Sequence, residues 1–90
     1  MFLHLGRDIA VSYQSIIGIF DLDNSTHSVH TRRLLARAER EGRVVTVSDE
    51  LPKSAVVCRE DGRAVVYISQ ISPQTLLRRV QSGGLPDNLL

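Results

Sequence analysis

The sequence predicts an α+β fold: a small antiparallel sheet of about five to six short strands, one main helix near residues 29–41 and a C-terminal helix near 73–81. Three observations predict it. Apolar stretches rich in β-branched residues recur at short spacing. Two segments switch to a helical period and carry cap residues at their ends. Asp61-Gly62 separates two of the apolar stretches with the residue pair that a tight hairpin turn demands.

Phe2 to Leu5 and Ile9 to Val11 form the first two strands, joined through Gly6-Arg7-Asp8. Ile16 to Phe20 is β-branched and aromatic and forms a third, in which Gly18 marks a bulge or a point of close approach. The polar run Asp21 to Thr26 breaks the pattern. Ser28 then serves as an N-cap, Leu34, Leu35 and Ala38 fall on one side at helical spacing, and Gly42 accepts the left-handed conformation that ends a helix. Arg43 to Val47 reads as a short strand, and Pro52 keeps the following loop out of regular structure.

The residues flanking Asp61-Gly62, 55–60 and 63–68, form a hairpin whose two-residue turn sets Glu60 opposite Arg63. Both of its strands are apolar at successive positions, so both faces require cover, either from the two helices divided between them or from a second subunit. Ser72-Pro73 is a cap followed by proline at the first helical position. Leu76, Leu77 and Val80 supply the apolar face of that helix, and Ser82-Gly83-Gly84 with Pro86 stops it. One domain over 1–82 and a short tail over 83–90, carrying Leu85, Leu89 and Leu90, account for all 90 residues.

With 42% hydrophobic and 23% charged residues, the composition is that of a globular domain and excludes a disordered tail or a collagen-like repeat. The single cysteine, Cys58, lies in an apolar run and reads as a buried, inert thiol, and one cysteine permits no intrachain disulfide. The N-terminus is interrupted by His4, Arg7 and Asp8 and does not make a signal peptide, and no apolar run nears the roughly 20 residues that span a bilayer. A soluble, cytoplasmic chain with no membrane association is expected.

Catalytic chemistry finds no support. No serine sits in a nucleophile elbow, Gly83-Gly84 follows a helix instead of opening one, and the acidic pairs Asp49-Glu50 and Glu60-Asp61 fall in turns. His27 and His30 are three apart, but no cysteine or carboxylate set completes a metal site, so neither an enzyme, a metal nor a cofactor is expected.

The charges are more informative. Lys and Arg total 11 against 10 Asp and Glu, a net charge of +1, yet five arginines (32, 33, 37, 40 and 43) stand against two glutamates (39 and 41) around the main helix. At helical geometry Arg33, Arg37 and Arg40 lie within about 60° of one another, a basic stripe suited to phosphate oxygens. The same stripe also serves as a solvated helix face, with Arg37 pairing to Glu41 four residues on. Arg78 and Arg79 add a smaller patch. No aromatic residue accompanies the stripe, so base stacking on single strands is not expected.

The order of segments resembles the RemA/RemB family of bacterial extracellular matrix regulatory proteins, with the opening and the Pro-Lys-Ser segment closer to the RemB branch. The resemblance runs from Met1 to about Val80. It is carried by Met1-Phe2-Leu3-His4-Leu5-Gly6, Ile16 to Leu22, Ala38-Glu39-Arg40-Glu41-Gly42, Pro52-Lys53-Ser54-Ala55-Val56-Val57, Val66-Tyr67-Ile68-Ser69 and Ile71-Ser72-Pro73-Gln74-Thr75-Leu76.

It implies a compact subunit that assembles into a homo-oligomeric ring and regulates transcription, including that of biofilm matrix genes, by presenting positive charge to double-stranded DNA. The chain departs from the RemA-like arginine pattern at two places, with Ser15 at one and Leu51, Pro52, Lys53 and Ser54 across the other. Only Lys53 supplies a cation there. The candidate phosphate contacts are therefore Arg33, Arg37, Arg40 and Lys53. The alternative is an oligomeric protein-interaction module, or a partner of a RemA-like protein, with no direct DNA contact.

Overall fold

In a computed structural model, which describes residues 1–23 and 29–82, the fold is α+β, with six strands and two helices. In chain order the elements are β1 (Phe2–Gly6), β2 (Ile9–Ser12), β3 (Ile16–Asp21), α1 (Val29–Arg40), β4 (Val44–Thr46), β5 (Ser54–Glu60), β6 (Arg63–Ser69) and α2 (Pro73–Gln81), with one 3-10 turn at Tyr13–Ser15 between β2 and β3. Ser28, His27 and the tail 83–90 lie outside the described residues.

The local signals act as expected. Asp61 and Gly62 both take positive φ (52° and 76°), as a type I′ turn requires, and Glu60 pairs with Arg63. Ser72 caps α2 by accepting the amide of Thr75 at 3.2 Å, with Pro73 in the first turn. The β3 to β5 register slips between Ile16 and Gly18, the bulge expected at the glycine. The glycine also answers a close approach, since a Cβ at position 18 would stand 3.0 Å from the Phe20 ring.

Two features of the expected sheet are corrected. The strands form a two-stranded sheet, β1-β2, and a separate four-stranded sheet in the order β3-β5-β6-β4. The larger sheet is also not wholly antiparallel, because β4 runs parallel to β6. The chain enters β4 straight from α1, and the amide of Val66 binds the carbonyl of Arg43 at 2.9 Å, which places β4 on the far side of β6 and in the same direction. Strand direction leaves no mark in side-chain alternation, so a three-residue strand gives no sequence warning of it.

The two apolar faces of the β5-β6 hairpin are both covered from within this chain. On one face Val56 and Cys58 pack with Leu3, Leu5 and Val11 of the small sheet and Leu76 of α2. On the other, Ala55, Val57 and Val66 pack with Ala38 of α1, flanked by Leu34 and Leu35. The helices divide between the faces, and the small sheet does the work that one helix alone could not.

Ser54 and Ser69 oppose each other in the β5-β6 register and both are fully buried, but they differ in their bonding. The Ser69 hydroxyl donates to the Leu5 carbonyl at 2.6 Å and accepts from the Ile71 amide at 3.1 Å, tying β1 and the start of α2 to β6. Among the described residues the Ser54 hydroxyl has no partner. Ser69→Ala is expected to cost about 1–3 kcal/mol by stranding buried backbone groups, whereas Ser54→Ala is neutral or stabilising. Urea unfolding of the two variants side by side checks this.

Cys58 is fully buried, and desolvation pushes its thiol above its ordinary value of 9.0, outweighing a hydrogen bond from Ser15. The folded thiol thus holds its proton where the unfolded one loses it. Its contribution to stability is complete below about pH 9 and declines as pH rises further, as the direction of the shift requires. Native protein should react slowly with a thiol reagent at pH 8 and rapidly once urea is added.

Candidate nucleic-acid interface

The helix α1 positions the arginines because its apolar residues leave it one way to lie. Ala38 is buried and Leu34 and Leu35 are half-buried against the sheet, so Arg33, Arg37 and Arg40 turn to solvent. All three are exposed, as is Arg32 beside them. The helix ends in a Schellman turn. Arg43 N–H donates to the Ala38 carbonyl at 2.8 Å and Gly42 N–H to the Glu39 carbonyl at 3.2 Å, with Gly42 at φ 70°.

That turn sorts the arginines into two groups. Glu41 receives Arg37 Nε at 3.4 Å from one side and the Arg43 guanidinium from the other. The Arg43 side chain is only 18% exposed, so it belongs to the helix end and not to the outer surface. The sequence-level excess of five arginines over two glutamates therefore overstates what α1 offers a ligand. Arg33 and Arg40 carry no ion pair among the described residues, and Arg37 shares its charge with Glu41.

Lys53 is exposed on a different element. Its amide donates to the Ser69 carbonyl at 2.8 Å and its carbonyl accepts from the Leu22 amide at 3.0 Å, so the backbone here extends the ladders of β5 on both sides. Lys53 thus stands at the end of the sheet from which the chain departs toward α1. Arg33, Arg37 and Arg40 share one helix face, and Lys53 stands on a different element, just before β5.

Two residues that sequence reasoning did not select bear on this surface. Arg7, in the β1-β2 turn at φ 48°, reaches Asp49 at 2.8 Å and offsets one of the two acids that precede Lys53. Arg63, the first residue of β6, joins Arg37 and Arg43 in lining a concavity of about 650 Å³ at the C-terminal end of α1. Neither has a local signal, because each depends on elements distant in sequence. His4 and His30 are exposed, and His4 Nε2 meets the Arg7 carbonyl at 2.6 Å.

Among the described residues no helix is long and apolar enough to cross a membrane. Compared with known proteins, residues 2–80 match the RemA-like family model, extracellular matrix regulatory protein A-like. The chain is also 33% identical over 81 residues to extracellular matrix regulatory protein B of Bacillus subtilis (strain 168), an alignment covering 90% of this chain and 91% of that protein.

Proposed function

Since the chain belongs to the RemA-like family of extracellular matrix regulatory proteins, we propose that it acts in matrix gene control as a non-enzymatic, oligomeric DNA-binding regulator of cytoplasmic location. Its subunits form a ring whose basic residues follow the phosphates of double-stranded DNA and thereby influence biofilm genes. The observation that carries this reading is the outward arginine face of α1, on which Arg33 and Arg40 stand without an acidic partner among the described residues. Symmetry repeats that face in each subunit and makes a belt of a short stripe. Lys53 adds a cation from the sheet end.

Binding of this kind is led by charge and shape, because contacts to phosphate carry no base identity. It also has a distinctive salt signature: each phosphate neutralised contributes about 0.9 to the slope of log affinity against log salt. Duplex affinity measured across a salt series is the test, with a steep slope expected. Absence of binding, or binding indifferent to salt, would make the chain an interaction module or a partner of a RemA-like protein. Native mass determination checks the assembly, and a monomer at micromolar concentration would remove the ring.

A further inference from the structure

We propose that the concavity at the C-terminal end of α1 binds a phosphorylated small molecule of nucleotide size. Three guanidinium groups line it, those of Arg37, Arg43 and Arg63, against the single carboxylate of Glu41, which leaves an excess of positive charge. Leu34 of α1 and Ala64 of β6, both packed against the buried cluster around Ala38, supply an apolar wall. The volume of about 650 Å³ falls within the range of small-molecule sites, roughly 300–1,000 Å³, and exceeds what a phosphate group alone would fill.

The fold brings these residues together from two directions. The turn at Asp61-Gly62 starts β6 at Arg63, while the Schellman turn folds Arg43 back beside the same strand, where its carbonyl accepts the Val66 amide at 2.9 Å. The end of a helix ordinarily repels an anion, because its last carbonyls carry partial negative charge. Here the carbonyls of Arg37, Ala38 and Glu39 already accept amides, from Glu41, Arg43 and Gly42 respectively, and the arginine charges outweigh what remains.

The charges lining the concavity do not satisfy one another. Glu41 meets Arg37 at 3.4 Å and also the Arg43 guanidinium, but Arg63 is exposed and carries no ion pair among the described residues. The Arg43 side chain is largely buried, and its Nε has no partner among the described residues, so Glu41 leaves this guanidinium incompletely satisfied. A cation held partly out of water gains more from an added anion than a solvated one, because less solvent screens the pair. Phosphate suits such a cluster, since its oxygens match the planar fork of each guanidinium. Glu41 in turn accepts from hydroxyl or amino groups of the organic part. The inference does not rest on DNA binding, because Arg43 and Arg63 lie off the outer stripe of α1.

The test titrates adenosine 5′-diphosphate into the full chain as it assembles in solution, with inorganic phosphate and adenosine as separate arms. NMR shifts are expected at the amides of Gly62, Arg63 and Ala64 and at the Arg43 side-chain N–H, with α2 unmoved, and the diphosphate should bind more tightly than either part alone. Arg63→Ala should weaken it about tenfold, as expected for loss of a charge-assisted hydrogen bond. Arg78→Ala removes the same charge from α2, on the opposite face of the sheet, and should leave the affinity unchanged. Glu41→Gln should tighten inorganic phosphate by removing the one repulsive charge. Equal affinity for phosphate and the diphosphate would overturn the proposal and leave an adventitious ion only. Equal losses in Arg63→Ala and Arg78→Ala would overturn it in favour of net charge, and shifts around Arg63 produced by a DNA duplex but not by the diphosphate would assign the concavity to nucleic acid instead.

Discussion

Replacing Arg33 and Arg37 together by alanine is expected to lower the slope of log duplex affinity against log salt by up to about 1.8 per subunit engaged. Wild-type and variant titrations over the same salt series measure it directly. The two residues are not equal in this. Arg37 already gives part of its charge to Glu41, so Arg33→Ala should account for more of the change than Arg37→Ala, and Arg40→Ala should match Arg33→Ala. Folding should be almost untouched, since exposed arginines on a helix face contribute within about 0.5 kcal/mol to stability. A double variant with unchanged slope would move the DNA contact off α1, and with it the proposed reading of this face.

Leu76→Ala is expected to cost about 2–5 kcal/mol, the range for emptying a fully buried leucine site. Leu76 is the buried residue of α2 and packs with Leu3, Leu5, Val56 and Cys58, so it joins the helix, the small sheet and the large one. A chain of this length carries roughly 5–13 kcal/mol in all, so the loss is a large share of the total. Each kcal/mol moves the midpoint of a domain this size by about 4–8 °C, which a thermal melt at fixed protein concentration reads easily. Leu77→Ala, one residue on and half exposed, should cost far less. Near-equal effects would mean that α2 is held by its outer side.

Much of the local structure was legible because its causes are local. Ser72 and Pro73 start a helix through their own hydroxyl and ring, Asp61-Gly62 turn a hairpin because they tolerate positive φ, and Gly42 stops α1 for the same reason. The bulge at Ile16–Gly18 was legible for a related reason, because a glycine among β-branched residues marks a place where a side chain does not fit. The arginine stripe was visible too, since helical period alone puts Arg33, Arg37 and Arg40 on one side.

Pairing and availability were not legible. The direction of β4, its place outside β6 and the separation of β1-β2 into a second sheet are choices among partners distant in the chain, and no residue in the strands records them. The same holds for the charges. Whether Arg43 faces solvent depends on the turn that folds it back to Glu41, and whether Asp49 opposes Lys53 depends on Arg7, forty-two residues earlier. Sequence by itself determined the elements, the turns and the amphipathic helix, because these follow from angles and hydrogen bonds within a few residues. Only the tertiary structure decided which faces the helices cover and which arginines stay open to a ligand, because burial and ion pairing are set by neighbours that folding alone brings together.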